Sequence, residues 1–210
     1  MAALFPPWTN TATRVVLAGV VVAITGGLAA PMIYARSPYA TGESDPLLQP
    51  IPFDHRHHVH DDGIDCLFCH DKATTSPYAG VPGADRCMGC HAQIWNDAAL
   101  IAPIRDSVAT GKPIRWQRVH SLPDFVYFDH SVHVTHGVGC VTCHGRVDEM
   151  AAVVQTQRLT MHWCLDCHRN PEPNLRPTTE ITNMTWAPMD SPMSPRPEVR
   201  RLTHCSTCHR

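Results

Sequence analysis

Every cysteine in this chain belongs to one repeated run, Cys-X-X-Cys-His, which occurs five times. The runs comprise Cys66, Cys69 and His70; Cys87, Cys90 and His91; Cys140, Cys143 and His144; Cys164, Cys167 and His168; and Cys205, Cys208 and His209. Two thiols at this spacing form thioether bonds to one porphyrin, and the adjoining imidazole binds its iron from one side. One such run can arise by chance; five with no cysteine left over do not. Disulfides would leave the invariable histidine without a purpose. Zinc ribbons need four ligands per metal and no adjacent fifth residue. The expectation is five covalently bound haem c groups, with the ten cysteines as attachment points and the five histidines as proximal iron ligands.

A sixth ligand decides whether each iron only carries electrons or also binds a substrate. Two similar phrases precede the motif pairs. Phe53-Asp54-His55-Arg56-His57-His58 stands before Cys66, and Phe128-Asp129-His130-Ser131-Val132-His133 before Cys140. Each holds a His-x-x-His pair, whose imidazoles leave one side of a helical turn with different reach. His55 and His58 are therefore expected to ligate two irons, and His130 and His133 two more. For the remaining iron two candidates stay open, His120 and Met161. His57, His60, His136, His162 and His204 are assigned to solvent, propionates or hydrogen bonds to the ligands.

These ligands need a scaffold that wraps porphyrins more than it packs side chains. The reading is a haem-cored multihaem cytochrome c, built of short helices and irregular coil with little sheet. The 19 prolines agree with that. The internal repeat, about 40 residues long, gives two haem-pair modules, 53–91 and 128–168, followed by a proline-rich arm over 171–197 and the fifth site at 205–209. A short helix is expected around Gln93–Arg105, broken at Pro103, with a turn at Gly111-Lys112-Pro113. Trp95, Trp116, Trp163, Trp186, Phe125, Tyr127 and Phe128 are expected to cover haem edges.

Residues 15–34 carry no charge and are bracketed by Arg14 and Arg36. Twenty helical residues rise about 30 Å, enough to cross a bilayer core. The run exceeds the usual signal-peptide core of about 7–15 residues, so it is read as a retained anchor. Haem is attached outside the cytoplasmic membrane. That places residues 1–14 in the cytoplasm, a linker at 35–52, and the haem domain, 53–210, on the extracytoplasmic (periplasmic) face. The formal charge of −2 gives no basis for binding nucleic acid. Among the basic residues only Lys72 and Lys112 are lysine; the arginines suit haem propionates.

The His-x-x-His phrases ahead of closely spaced motifs resemble the cytochrome c7 and c3 kinds of multihaem protein. The full arrangement is similar to the pentahaem subunit of alternative complex III. The residues that carry the likeness are the N-terminal helix, the five sites, Arg118–His130, Cys140–Gly145 and Leu159-Thr160-Met161-His162-Trp163-Cys164. In that family phrase a glycine often stands where His162 stands here. The resemblance implies a quinol:acceptor oxidoreductase with multispan quinol-binding subunits and an iron–sulfur subunit. It also implies a monohaem cytochrome c or another soluble acceptor. The chain itself is expected to pass electrons and to have no catalytic site of its own. A stand-alone quinol dehydrogenase would need an enclosed quinone pocket that one span can hardly build. A catalytic reductase would need an iron with a vacant face.

Overall fold

The computed structural model describes residues 5–187 and 200–209. The chain separates into two units, residues 1–42 and 43–210. The first unit is dominated by α1 (Thr9–Tyr34). This helix is long and apolar enough to cross a membrane. It starts at Thr9 instead of Val15, because hydropathy marks the apolar stretch and not the helix end. Thr9 N–H donates to the Pro6 carbonyl at 3.1 Å, and the polar turn Thr9–Arg14 continues the same helix. A one-turn helix follows, α2 (Pro38–Thr41), capped by the Ser37 hydroxyl and ended by Gly42 at φ 71°.

The second unit consists of short helices joined by coil: α3 (Cys66–Cys69), α4 (Ala84–His91), α5 (Ala102–Thr110), α6 (His130–Thr135), α7 (Cys140–His144), α8 (Met161–Arg169) and α9 (Cys205–Cys208). A π-helical turn spans Arg56–Asp61. Among the described residues there is no sheet, only isolated bridges pairing Glu43 with Gln155 and Val138 with Leu175. The expected fold of short helices and coil with little sheet is what the structure shows. The helix expected around Gln93–Arg105 lies further along, at Ala102–Thr110. Pro103 sits in its first turn, where the missing N–H costs nothing, so proline starts this helix instead of breaking it. Gly111 ends it at φ 68°, at the expected turn. Residues 188–197 of the expected proline-rich arm, and residues 1–4, lie outside the described residues.

The apolar core is small. Ile51, Ile101 and Ile104 form its one cluster, with Met88, Ile114 and Trp116 packed against it. Among the described residues, Ala73, Val134, Leu175 and Ile181 complete the buried apolar set, and no side chain is sealed completely. That burial is far too little to offset ordering a unit of this length. Something other than side chains must fill the interior.

Candidate haem-binding sites

Each Cys-X-X-Cys pair lies on a helical turn. Motifs one, three and five form α3, α7 and α9, and motifs two and four occupy the ends of α4 and α8. Residues i and i+3 share a helix face, so both thiols of a motif point to one side. Caps fix several of these turns. Asp65 Oδ1 accepts from Leu67 N at 2.8 Å at the start of α3. Thr160 Oγ1 accepts from Trp163 N at 3.4 Å at the start of α8. None of the ten cysteines is in a disulfide. Burial pushes the Cys143 thiol up to about 12, with Cys167, Cys164 and Cys140 adding to the effect.

The imidazoles are oriented by the backbone. His70 Nδ1 contacts the Gly80 carbonyl at 2.7 Å, His91 that of Ile94 at 3.2 Å and His209 that of Phe125 at 3.1 Å. His58 pairs with the Asp54 carbonyl at 2.8 Å, His133 with that of Asp129 at 2.7 Å and His130 with that of Pro77 at 2.9 Å. An Nδ1–H donated to a carbonyl leaves the Nε2 lone pair for a metal.

Ring spacing shows which imidazoles can face each other across one iron. Two metal–nitrogen bonds of about 2 Å and two ring half-widths of about 1 Å put the centroids about 6 Å apart. His58 and His91 are 6.3 Å apart, His133 and His168 5.9 Å, and His130 and His144 6.4 Å. His55 has His70 as its neighbouring motif histidine. Burial first, and then His70, lower the His55 pKa to about 4. Burial likewise lowers His144 to about 3, with His120, His130, His70 and His55 around it. Both stay neutral, the form that binds metal.

The two candidates for the remaining iron fall in different places. The His120 ring lies 4.3 Å from that of His144, too close for the two to stand on opposite sides of one iron. Its buried Nε2 has no protein partner. Met161 is exposed in the first turn of α8. That helix carries Cys164, whose thiol is raised by burial and by nearby Cys208 of the fifth motif. The ring against His209 is Phe125, at 5.8 Å.

Paired thiols, imidazoles whose Nδ1 atoms are held by backbone carbonyls and a side-chain core too small for the unit fit covalent haem. Residues 126–210 match the family described as cytochrome c7 and related cytochrome c. The fold class is that of a multihaem cytochrome c. Over 97 residues the cytochrome is also 34% identical to the menaquinone reductase multihaem cytochrome c subunit of Nitratidesulfovibrio vulgaris (strain Hildenborough). That match covers 46% of this chain and 45% of the relative, so the chain spans about half the length of the protein it matches.

The contacts of two Phe-Asp pairs were not foreseen from the sequence, where Phe128 was expected only to cover a haem edge. Phe53 stacks on His58 at 4.3 Å and 25°, and meets His55 edge-on at 4.7 Å and 86°. Phe128 stacks on His133 at 4.5 Å and 28°, and meets His130 at 4.8 Å and 87°. The two modules of the cytochrome thus hold their imidazole pairs with the same aromatic wedge. Asp54 and Asp129 supply the carbonyls that orient His58 and His133. The signal was the repeated Phe-Asp-His phrase, which marks the repeat but not the role of its first two residues.

Other aromatic residues have different protein surroundings. Trp116 packs on the isoleucine cluster, Trp186 carries the Arg176 guanidinium at 4.9 Å, and Trp95 is exposed. Several arginines bind protein carboxylates. Arg146 pairs with Asp148 at 2.7 Å and Glu149 at 2.8 Å, and Arg86 with Asp71 at 3.2 Å.

Proposed function

We propose that this cytochrome is the electron-transfer subunit of a membrane quinol:acceptor oxidoreductase of the alternative complex III kind, with a haem c on each of its five motifs. The observation that carries the reading is the set of imidazole pairs spaced to enclose an iron from both sides. Bound haem supplies one-electron redox chemistry. The chain's residues hold it and tune it. Thiols anchor each ring, His70, His91, His144, His168 and His209 bind from one face, and His55, His58, His130 and His133 close the other. Backbone carbonyls fix the imidazole tautomers, and Phe53 and Phe128 fix their angles. An iron closed on both faces passes electrons without binding substrate. The relative's designation as a menaquinone reductase subunit supports quinol-linked partners.

In this reading α1 anchors the cytochrome in the cell membrane, with the N-terminus cytoplasmic and the haem domain extracytoplasmic. Quinol is oxidised by multispan partner subunits, an iron–sulfur subunit relays the electrons, and a monohaem cytochrome c or another soluble acceptor receives them. Copurification from detergent is expected to recover a multispan quinol-binding subunit. Recovery of the cytochrome alone, with quinol oxidation of its own, overturns this assignment. The denatured polypeptide is expected to carry five haem mass increments.

For the fifth iron we take Met161 over His120, because α8 carries Cys164 beside Cys208 of the fifth motif, while the His120 ring lies against that of His144. The expected result for Met161→Ala is one new carbon-monoxide-binding haem in the reduced protein, and for His120→Ala no loss of ligation at the fifth site. The reverse pattern assigns the iron to His120. A methionine ligand raises that haem's potential above those of its bis-histidine neighbours.

A further inference from the structure

The haem motifs are numbered along the chain, but the contacts between them follow a different sequence. Arg86, beside Cys87 of the second motif, donates to Asp71 at 3.2 Å and lies over the Phe68 ring of the first motif at 5.0 Å. The Cys69 thiol is among the neighbours of Cys87. The first motif touches the third: the Cys66 and Cys140 sulfurs lie against one another. Two consecutive residues tie the same junction. The Ile181 carbonyl accepts from Cys140 N at 2.9 Å, and the Thr182 hydroxyl donates to Asp65 at 2.7 Å.

The third and fourth motifs are joined through α6, where His130 faces His144 and His133 faces His168. Cys143 has Cys164 and Cys167 beside it. The fifth motif follows the fourth. Cys208 neighbours Cys164, and Arg201 pairs with Glu172 at 3.7 Å. Tyr127 N donates to the Cys208 carbonyl at 2.8 Å, while the next residue, Phe128, stacks on His133.

Exposure gives an independent view of the same layout. Of the ten cysteines, only Cys90 and Cys205 are exposed, one in the second motif and one in the fifth. Every residue of Cys140–His144 is at least half-buried.

We propose that the five sites form one row in the order second, first, third, fourth, fifth, so that the sites of His91 and His209 are the two ends. A one-electron donor docks at one end and a one-electron acceptor at the other, and each electron entering one end is matched by one leaving the other. The first motif is an interior site even though it comes first in the chain. Unlike chain order, this order gives the second site a single neighbour. It rests on the reading that every motif carries haem.

The test uses the complete, haem-loaded cytochrome. Its denatured mass checks that reading first: fewer than five haem increments refutes the reading itself, independently of the order. With five confirmed, Cys87→Ala/Cys90→Ala removes the second haem, and redox titration follows the other four. The expected result is a shift in one midpoint, with a single injected electron still equilibrating across all four haems. Two shifted midpoints, none, or one haem cut off from the rest overturns the order. Where that double variant fails to fold, His58→Met keeps the haem and raises its potential. It is expected to disturb one neighbouring midpoint, and two disturbed midpoints, or none, overturn the proposal. Cys205→Ala/Cys208→Ala gives the matching check at the other end, again with one shifted midpoint expected and any other number overturning the order.

Discussion

Cytochrome produced without haem attachment is expected to be unfolded over residues 43–210, with a coil-like far-ultraviolet circular dichroism spectrum and rapid proteolysis. The physical cause is the small apolar core. Among the described residues, seven buried apolar side chains, three of them in one isoleucine cluster, cannot offset the conformational entropy of ordering this unit. The helices cannot stand alone either. Among the described residues of the second unit the longest, α5 and α8, have nine residues each, well under the length of about 12–15 at which isolated helices become even marginal. Porphyrin must supply the missing apolar surface, and the thioethers restrict the unfolded chain as cross-links do. Far-ultraviolet spectra and limited proteolysis of haem-free and haem-loaded protein check this. A haem-free chain with native helix content and native protease resistance refutes it.

Replacement of His133 by methionine is expected to raise the midpoint of one haem by on the order of 0.1 V, because thioether ligation favours ferrous iron over imidazole ligation. His133→Ala is expected to open the same iron to carbon monoxide, which the intact reduced protein is expected to bind hardly at all. His133 is the sharpest place to test this. Its ring lies 5.9 Å from His168, Phe128 stacks on it, and the Asp129 carbonyl orients it. His58 has the same surroundings in the other module, so His58→Ala should behave alike at the His91 site. Spectroelectrochemical titration and carbon monoxide difference spectra measure both effects. No change in either observable in both variants would remove these residues from the iron sites.

The attachment chemistry was legible because it is local: each motif is five consecutive residues whose spacing alone implies a porphyrin. The two His-x-x-His phrases were legible as a repeat for the same reason. Partner choice was not, because it depends on which coil segments cross. No local pattern brings His120 to His144, or Thr182 to Asp65 more than a hundred residues away in sequence. The apolar N-terminal helix was evident from composition, but its start at Thr9 was hidden in polar residues that helices tolerate in their first turns. The helix around Pro103 was misplaced because proline was read as a breaker, whereas its position in the first turn makes it a starter.

The segment from Arg176 to Asn183 has a consequence for biogenesis. Arg176 donates to the Asn183 carbonyl at 2.7 Å, Ile181 holds Cys140, and Thr182 holds Asp65. This strap is synthesised after both modules it fastens. Until it emerges, the two modules are joined only by direct contacts such as that of His130 with the Pro77 carbonyl; once it arrives, they are clasped together. A chain halted before Arg176 should therefore hold its two modules together less firmly.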